Sequence, residues 1–287
     1  MRRIALASLV GLVACQGTGT QAPTTMPASV REAGQHASLE YEVNGRSIPM
    51  PFVRGSIGTH ETIFMIDTGS NANVLSSWFA EECGLPVTRA PQTSSREAPM
   101  LLVDHPLISI DGLGDIDVSS MIVVEVPAVY EEMGVGGILS PQMLVSESAA
   151  VILDLQRDTL SRVPRTRVLD LEGVEGEFMT RTPIGLCEEH ERGMVFRTLL
   201  VRASVGGEDA QLVVTDGMAR TSLPSRMTTV GQHVDINVGF VHRSIEAAVV
   251  DDASVGRCAH DGLLGRDFLA NCVLVFDGDR AAARCAD

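Results

Sequence analysis

Lysine is absent from this chain: all 22 basic residues are Arg, against 37 acidic ones, for a net charge of -15. So acidic a surface repels phosphate backbones, which sets nucleic acid aside as a partner. The exclusive use of Arg reads as codon bias, not chemistry. Aromatics make up only 4%, so the cores must be built from Val, Leu, Ile, Ala and Met. Metal-ligand spacing is missing as well. There is no Cys-x-x-Cys, and the seven His are scattered, so neither a metal site nor a cofactor is expected. After the first 15 residues no apolar run is long enough for a transmembrane helix. Helical periodicity is scarce too, with one clear candidate at Ser76–Glu82, "SSWFAEE".

What is present begins with residues 1–15, "MRRIALASLVGLVAC". Two Arg precede an apolar stretch too short to span a bilayer as a mature helix. It ends in Leu12-Val13-Ala14-Cys15, which resembles a bacterial lipoprotein signal. That resemblance implies cleavage before Cys15 and a diacylglycerol on its sulfur. With Gln16 next, it implies an outer-membrane anchor facing the periplasm. Several acyl chains hold where a single chain would not. Residues 16–38, rich in Thr, Ala, Pro, Gly and Gln, read as a flexible tether. Export places the remaining cysteines in an oxidising compartment. Cys272 and Cys285 flank a hairpin pattern and form the first candidate pair. Cys187 with Cys258 is the second, and Cys83 is left over; spacing alone does not fix the connectivity.

With 287 residues and 45% hydrophobic content, the chain can fill one large β domain or two lobes. From Leu39 onward, short apolar runs alternate with Gly, Asp, Asn and Pro, the pattern of strands and turns. The chain also repeats itself. Shifted by 148 positions, "VRGSIGTHETIFMIDTGSNANVLSS" (53–77) lies without a gap on "VRASVGGEDAQLVVTDGMARTSLPS" (201–225). Further on, "VGGILSPQML" (135–144) matches "HDGLLGRDFL" (260–269), and each precedes an apolar run ending in Asp, at Asp154 and Asp277. Two copies predict two lobes, at 39–163 and 196–287, joined by a connector over 164–195. A solenoid would need more copies.

An apolar strand ending in Asp-Thr-Gly, followed by a Gly-apolar-apolar-Gly, resembles the aspartic proteases. "GLLGRDFL" is especially like their retropepsin-like members. The resemblance spans most of residues 39–285. It implies an all-β, two-lobed, pepsin-like acid-protease fold and an endopeptidase that activates water with paired carboxylates. In such a pair one carboxylate is the base and the other keeps a proton to donate. Carried over, Asp67 is catalytic, Thr68 locks the two loops together, Gly69 makes the turn, and Ser70 supports the carboxylate.

The second copy departs from this pattern. Thr215 falls where a carboxylate belongs, Asp216 at the locking position, Gly217 on Gly69, and Met218 on Ser70. Three arrangements are open. In the first, Thr215 faces Asp67 in place of an acid. In the second, the loop slips by one residue and makes Asp216 the second catalytic carboxylate. In the third, two chains pair through their first lobes and bring two Asp67 together. In the first copy, Ser140 and Gln142 replace the second Gly and the acidic residue of the downstream motif. Two functions compete: a membrane-tethered aspartic endopeptidase acting on peptide or protein, and a protease-shaped lipoprotein that holds extended peptide without cutting. The expected state is a monomer, with a homodimer as the alternative. A flap is expected near Gln92–Asp104, without the Tyr that pepsin-like flaps carry.

Overall fold

The computed structural model describes residues 35–91, 99–165, 183–239, 241–250 and 258–285. Lobe one holds β1 (Gln35–Ser38), β2 (Glu40–Val43), β3 (Arg46–Ile57), β4 (His60–Ile66), β5 (Val74–Ser76), β6 (Thr88–Arg89), β7 (Leu101–Asp104), β8 (Leu107–Ile110), β9 (Gly114–Asp117), β10 (Ser120–Val124) and β11 (Val135–Leu139). Next come β12 (Ala149–Asp154) and β13 (Thr159–Pro164). Lobe two holds β14 (Pro183–Glu191), β15 (Met194–Val205), β16 (Glu208–Val214), β17 (Ser222–Pro224), β18 (His233–Val238), β19 (Val241–Glu246), β20 (Ala248–Val250) and β21 (Gly262–Leu264), and the chain closes with β22 (Cys272–Asp277) and β23 (Arg280–Cys285). Short helices are α1 (Ser77–Glu82), α2 (Ala128–Glu132) and α3 (Arg266–Leu269). The fold is all-β and two-lobed, as the sequence led one to expect.

A pseudo-twofold axis relates the lobes. It passes between β12 and β22, which pair antiparallel with Ile152 opposite Val275 and Leu153 opposite Leu274. Outward from that seam the order runs β12-β13-β1 on one side and β22-β23-β14 on the other. Continuous apolar runs in β12 and β22 suit strands buried along their whole length. Each run ends in a buried Asp, Asp154 or Asp277, paired with the Arg three residues on.

The repeat starts earlier than residue 53. Residues 35–43, forming β1 and β2, correspond at the same 148-residue offset to β14, residues 183–191. Both copies then turn through a left-handed pair, Asn44-Gly45 and Arg192-Gly193. Two expected boundaries therefore shift. The stretch read as tether already contains β1, paired with β13. The stretch read as connector contains β14, paired with β15 and β23.

Within each lobe one strand carries the active-site loop at its end. It is β4 in lobe one and β16 in lobe two, each parallel to a later strand, β11 or β21. The lobes differ between β5 and β8. In lobe one α1, β6 and β7 stand between β5 and β8, while only residues 225–232 fill the same place in lobe two. Strand β7 falls within the range expected for the flap, of which residues 92–98 lie outside the described residues. Helix α1 matches the expected segment. Its N-cap Ser76 has extended backbone, but its hydroxyl donates to the Val135 and Gly136 carbonyls instead of capping the helix. Both expected disulfides form, Cys187–Cys258 and Cys272–Cys285, and Cys83 is free.

Candidate active site

The loops after β4 and β16 meet at the lobe junction. Asp67 is half-buried there. Three donors converge on its Oδ1: the Gly69 N–H at 2.7 Å, the Thr215 hydroxyl at 3.0 Å and the Gly217 N–H at 3.2 Å. Two of the three come from the opposite lobe. Burial pushes the Asp67 carboxyl above its ordinary value, and these donors pull it back down by favouring the charged form.

The approach is close enough to require glycine on both sides. A Cβ on Gly217 would lie 2.3 Å from the Asp67 carboxyl carbon, and one on Gly69 would lie 2.4 Å from Thr215 Oγ1. The Gly69 and Gly217 positions are thus fixed by contact across the junction.

Thr68 joins the two loops. Its hydroxyl donates to the Val214 carbonyl at 3.1 Å and accepts the Asp216 N–H at 3.1 Å. In return the Thr68 N–H donates to Asp216 Oδ1 at 2.6 Å. Asp216 therefore sits in the lock, fully buried at 0% exposure, with its carboxylate bonded to Thr68 and, among the described residues, no hydrogen bond to Asp67. The loop does not slip, because Gly217 is needed opposite Asp67 and any shift would put Met218 there. Thr215, 2% exposed, takes the position facing Asp67.

Ser70 differs from expectation. Its hydroxyl donates to the Ala72 carbonyl at 2.6 Å instead of to the Asp67 carboxylate. A carbonyl two residues along the chain is the nearer partner for a short hydroxyl side chain. The Ser70 backbone N–H donates to the Asp67 main-chain carbonyl at 3.2 Å and helps to lower the Asp67 carboxyl.

Two residues read as lost signature brace the site. Gln142 Nε2 donates to the carbonyls of Thr68 at 3.0 Å, Ser70 at 2.9 Å and Arg197 at 3.2 Å. The Ser140 hydroxyl donates to the Ser70 carbonyl at 2.8 Å, and its N–H to Asn73 Oδ1. In lobe two the counterpart Asp267 instead accepts from the Thr221 N–H and hydroxyl. Burial raises the Asp267 carboxyl, and those bonds oppose the rise. The sequence signal for both braces was their alignment with Gly265 and Asp267.

Met65, near the end of β4, lies two residues before Asp67. Ile138, paired with Met65 across β11–β4, packs against the same apolar cluster, which also holds Tyr130 and Met133. The charge on Asp67 helps raise the Tyr130 hydroxyl, after burial. Among the described residues no group of three or more His, Cys, Asp or Glu is placed to hold a metal ion. No described helix is long and apolar enough to cross a membrane.

Residues 53–141, from β3 to just past β11, match the family model for aspartyl proteases. Lobe one is therefore similar to that family over the segment that carries Asp67, Thr68 and Gly69. No curated protein matches the chain. Among solved structures, the crystal structure of Basic 7S globulin from soybean aligns over 89% of this chain and 95% of its own, at 8% identity and a TM-score of 0.47.

Proposed function

We propose that this protein is an aspartic-protease-like binding protein, which holds extended polypeptide at the lobe junction and does not cleave it by paired carboxylates. One observation carries the reading: Thr215 Oγ1 stands 3.0 Å from Asp67 Oδ1, on the side where a partner acid would be needed. Paired-carboxylate hydrolysis requires one group to take a proton from water and another to give one to the substrate carbonyl. Thr215 directs its proton at Asp67, and its hydroxyl is far too weak an acid to replace a carboxyl. Asp67 remains an acceptor for a substrate N–H or a water. Binding would draw on main-chain hydrogen bonds to a strand-like peptide.

The test incubates the full-length protein with a peptide library from acidic to neutral pH, reading both retention and cleavage. Retention without cleavage is expected for the wild type, and retention should survive Asp67→Asn. Cleavage by the wild type that Asp67→Asn abolishes would favour the second reading, an endopeptidase with Asp67 as its sole carboxylate. The aspartyl protease match over residues 53–141 supports that alternative.

The same proposal places the protein at the outer membrane through lipid on Cys15, with the periplasm as its workspace. Support comes from the signal-like residues 1–15. A labelled fatty acid should enter the wild type and not Cys15→Ala; equal labelling would remove the anchor. Fused lobes already bury the pairing surface through β12–β22 and the Thr68 lock, which supports a monomer.

A further inference from the structure

Asp216 is a fully buried carboxyl with no part in the contact at Asp67. Its Oδ1 accepts the Thr68 N–H, and its Oδ2 has no hydrogen-bond partner among the described residues. The mirror-related loop indicates what that partner is. Thr68, 148 residues earlier, uses one hydroxyl for two tasks: it accepts the Asp216 N–H and donates to the Val214 carbonyl. Asp216 performs the first task with Oδ1. The second would fall to Oδ2, and the mirror target of Val214 is the carbonyl of Ile66.

A carboxylate has no proton to donate, whereas a carboxylic acid has one. A buried, unpartnered, charged oxygen is costly, and a proton removes both faults at once. We propose that Asp216 is held as a neutral carboxylic acid that donates through Oδ2 to the Ile66 carbonyl, acting as a proton-dependent lock between the lobes. It positions Thr215 and Gly217, its chain neighbours, against Asp67. This goes beyond the peptide-binding reading and does not depend on it.

The surroundings favour the neutral form. Asp67 approaches from the loop after β4 and carries like charge. From β2 comes Tyr41, whose ring is covered by the Arg266 guanidinium at 3.7 Å. Arg266, on α3, donates to the Pro49 carbonyl and lies 3.8 Å from Asp158 in the β12–β13 turn. Among the described residues no cation is paired with Asp216. Burial first, and the Asp67 charge second, push the Asp216 carboxyl from 3.8 up to about 7. The unfolded chain releases this proton near 3.8, while the folded protein keeps it until about 7. The native state therefore holds the extra proton inside that window, and stability falls as pH rises through it.

Thermal melting of the full-length protein across this pH range tests the lock, with wild type set against Asp216→Asn and Asp216→Thr. An amide keeps the acceptor and a donor without titrating; Thr copies Thr68. Relative to both variants, the wild-type Tm should fall as pH rises, levelling off above about 7. Parallel curves would overturn the proposal. Should the variants fail to fold, a side-chain carboxyl NMR titration of the wild type takes their place. One buried aspartate other than Asp267 that titrates well above the rest, and is still present in Asp67→Asn, is expected, with Asp267→Asn used to assign the Asp267 signal. If every aspartate other than Asp67 and Asp267 titrates in the ordinary range, the lock is ionised and the proposal fails.

Discussion

Thr215 and Asp216 carry the same two residue types as Asp67 and Thr68 in exchanged order, and the exchange divides the work of the junction. Thr215 gives Asp67 a hydrogen bond but no second acid, while Asp216 enters the lock. The gapless offset made the first half legible in the sequence, because Gly217 had to fall on Gly69. The slipped alternative, with Asp216 as catalytic partner, sets its chemistry above its register, and the Gly217 contact with Asp67 favours the register. Ser70 was misread for a local reason: a carbonyl two residues away captured its hydroxyl. The tight junction supplies a residue-scale prediction. Gly217→Ala should lower stability by about 1–3 kcal/mol through overpacking against Asp67, measured by chemical denaturation. An unchanged midpoint would mean that the loops are looser than described.

Strands around the site were legible where apolar alternation was strong and invisible where pairing alone defines them. Helix α1 could be read from "SSWFAEE", yet β1 was hidden in a polar, Pro-containing stretch. Its alternation is too short to see, and its place comes from β13 beside it. Strand β14 shares little sequence with β1 and β2, although it occupies their position. Likewise Gln142 and Ser140 looked like erosion of a motif. In space they tie the carbonyls of the Asp67 loop, a task that needs donors where Asp267 needs none. At this scale the edge strand yields a prediction. A chain that starts at Leu39 should melt below one that starts at Gln35, by roughly 2–4 °C for each kcal/mol lost. Equal melting temperatures would show that β1 contributes nothing to the seam.

As a whole the molecule is two β lobes fused across the β12–β22 seam, each sending an N-terminal hairpin over the other. Tyr41 meets Arg266 on one side; on the other, Met194 and Phe196 pack with Ala90, Leu102 and Met100 near the β6–β7 hairpin. The architecture came through in the sequence because the repeat is internal and long. The asymmetry was harder to read, since the extra hairpin of lobe one has no counterpart to align with. On the proposed peptide-binding reading, this frame presents one acid at the junction where paired-carboxylate hydrolysis wants two.

The most direct test restores the missing group. In Thr215→Asp combined with Asp216→Thr, lobe two regains an Asp-Thr-Gly loop opposite Asp67. Cleavage of a peptide library is then compared across acidic to neutral pH for the wild type, the double variant, and the double variant with Asp67→Asn. No cleavage is expected of the wild type, cleavage is expected of the double variant, and it should be lost when Asp67 is also replaced. Wild-type cleavage that depends on Asp67 and gains nothing from the double substitution would contradict it.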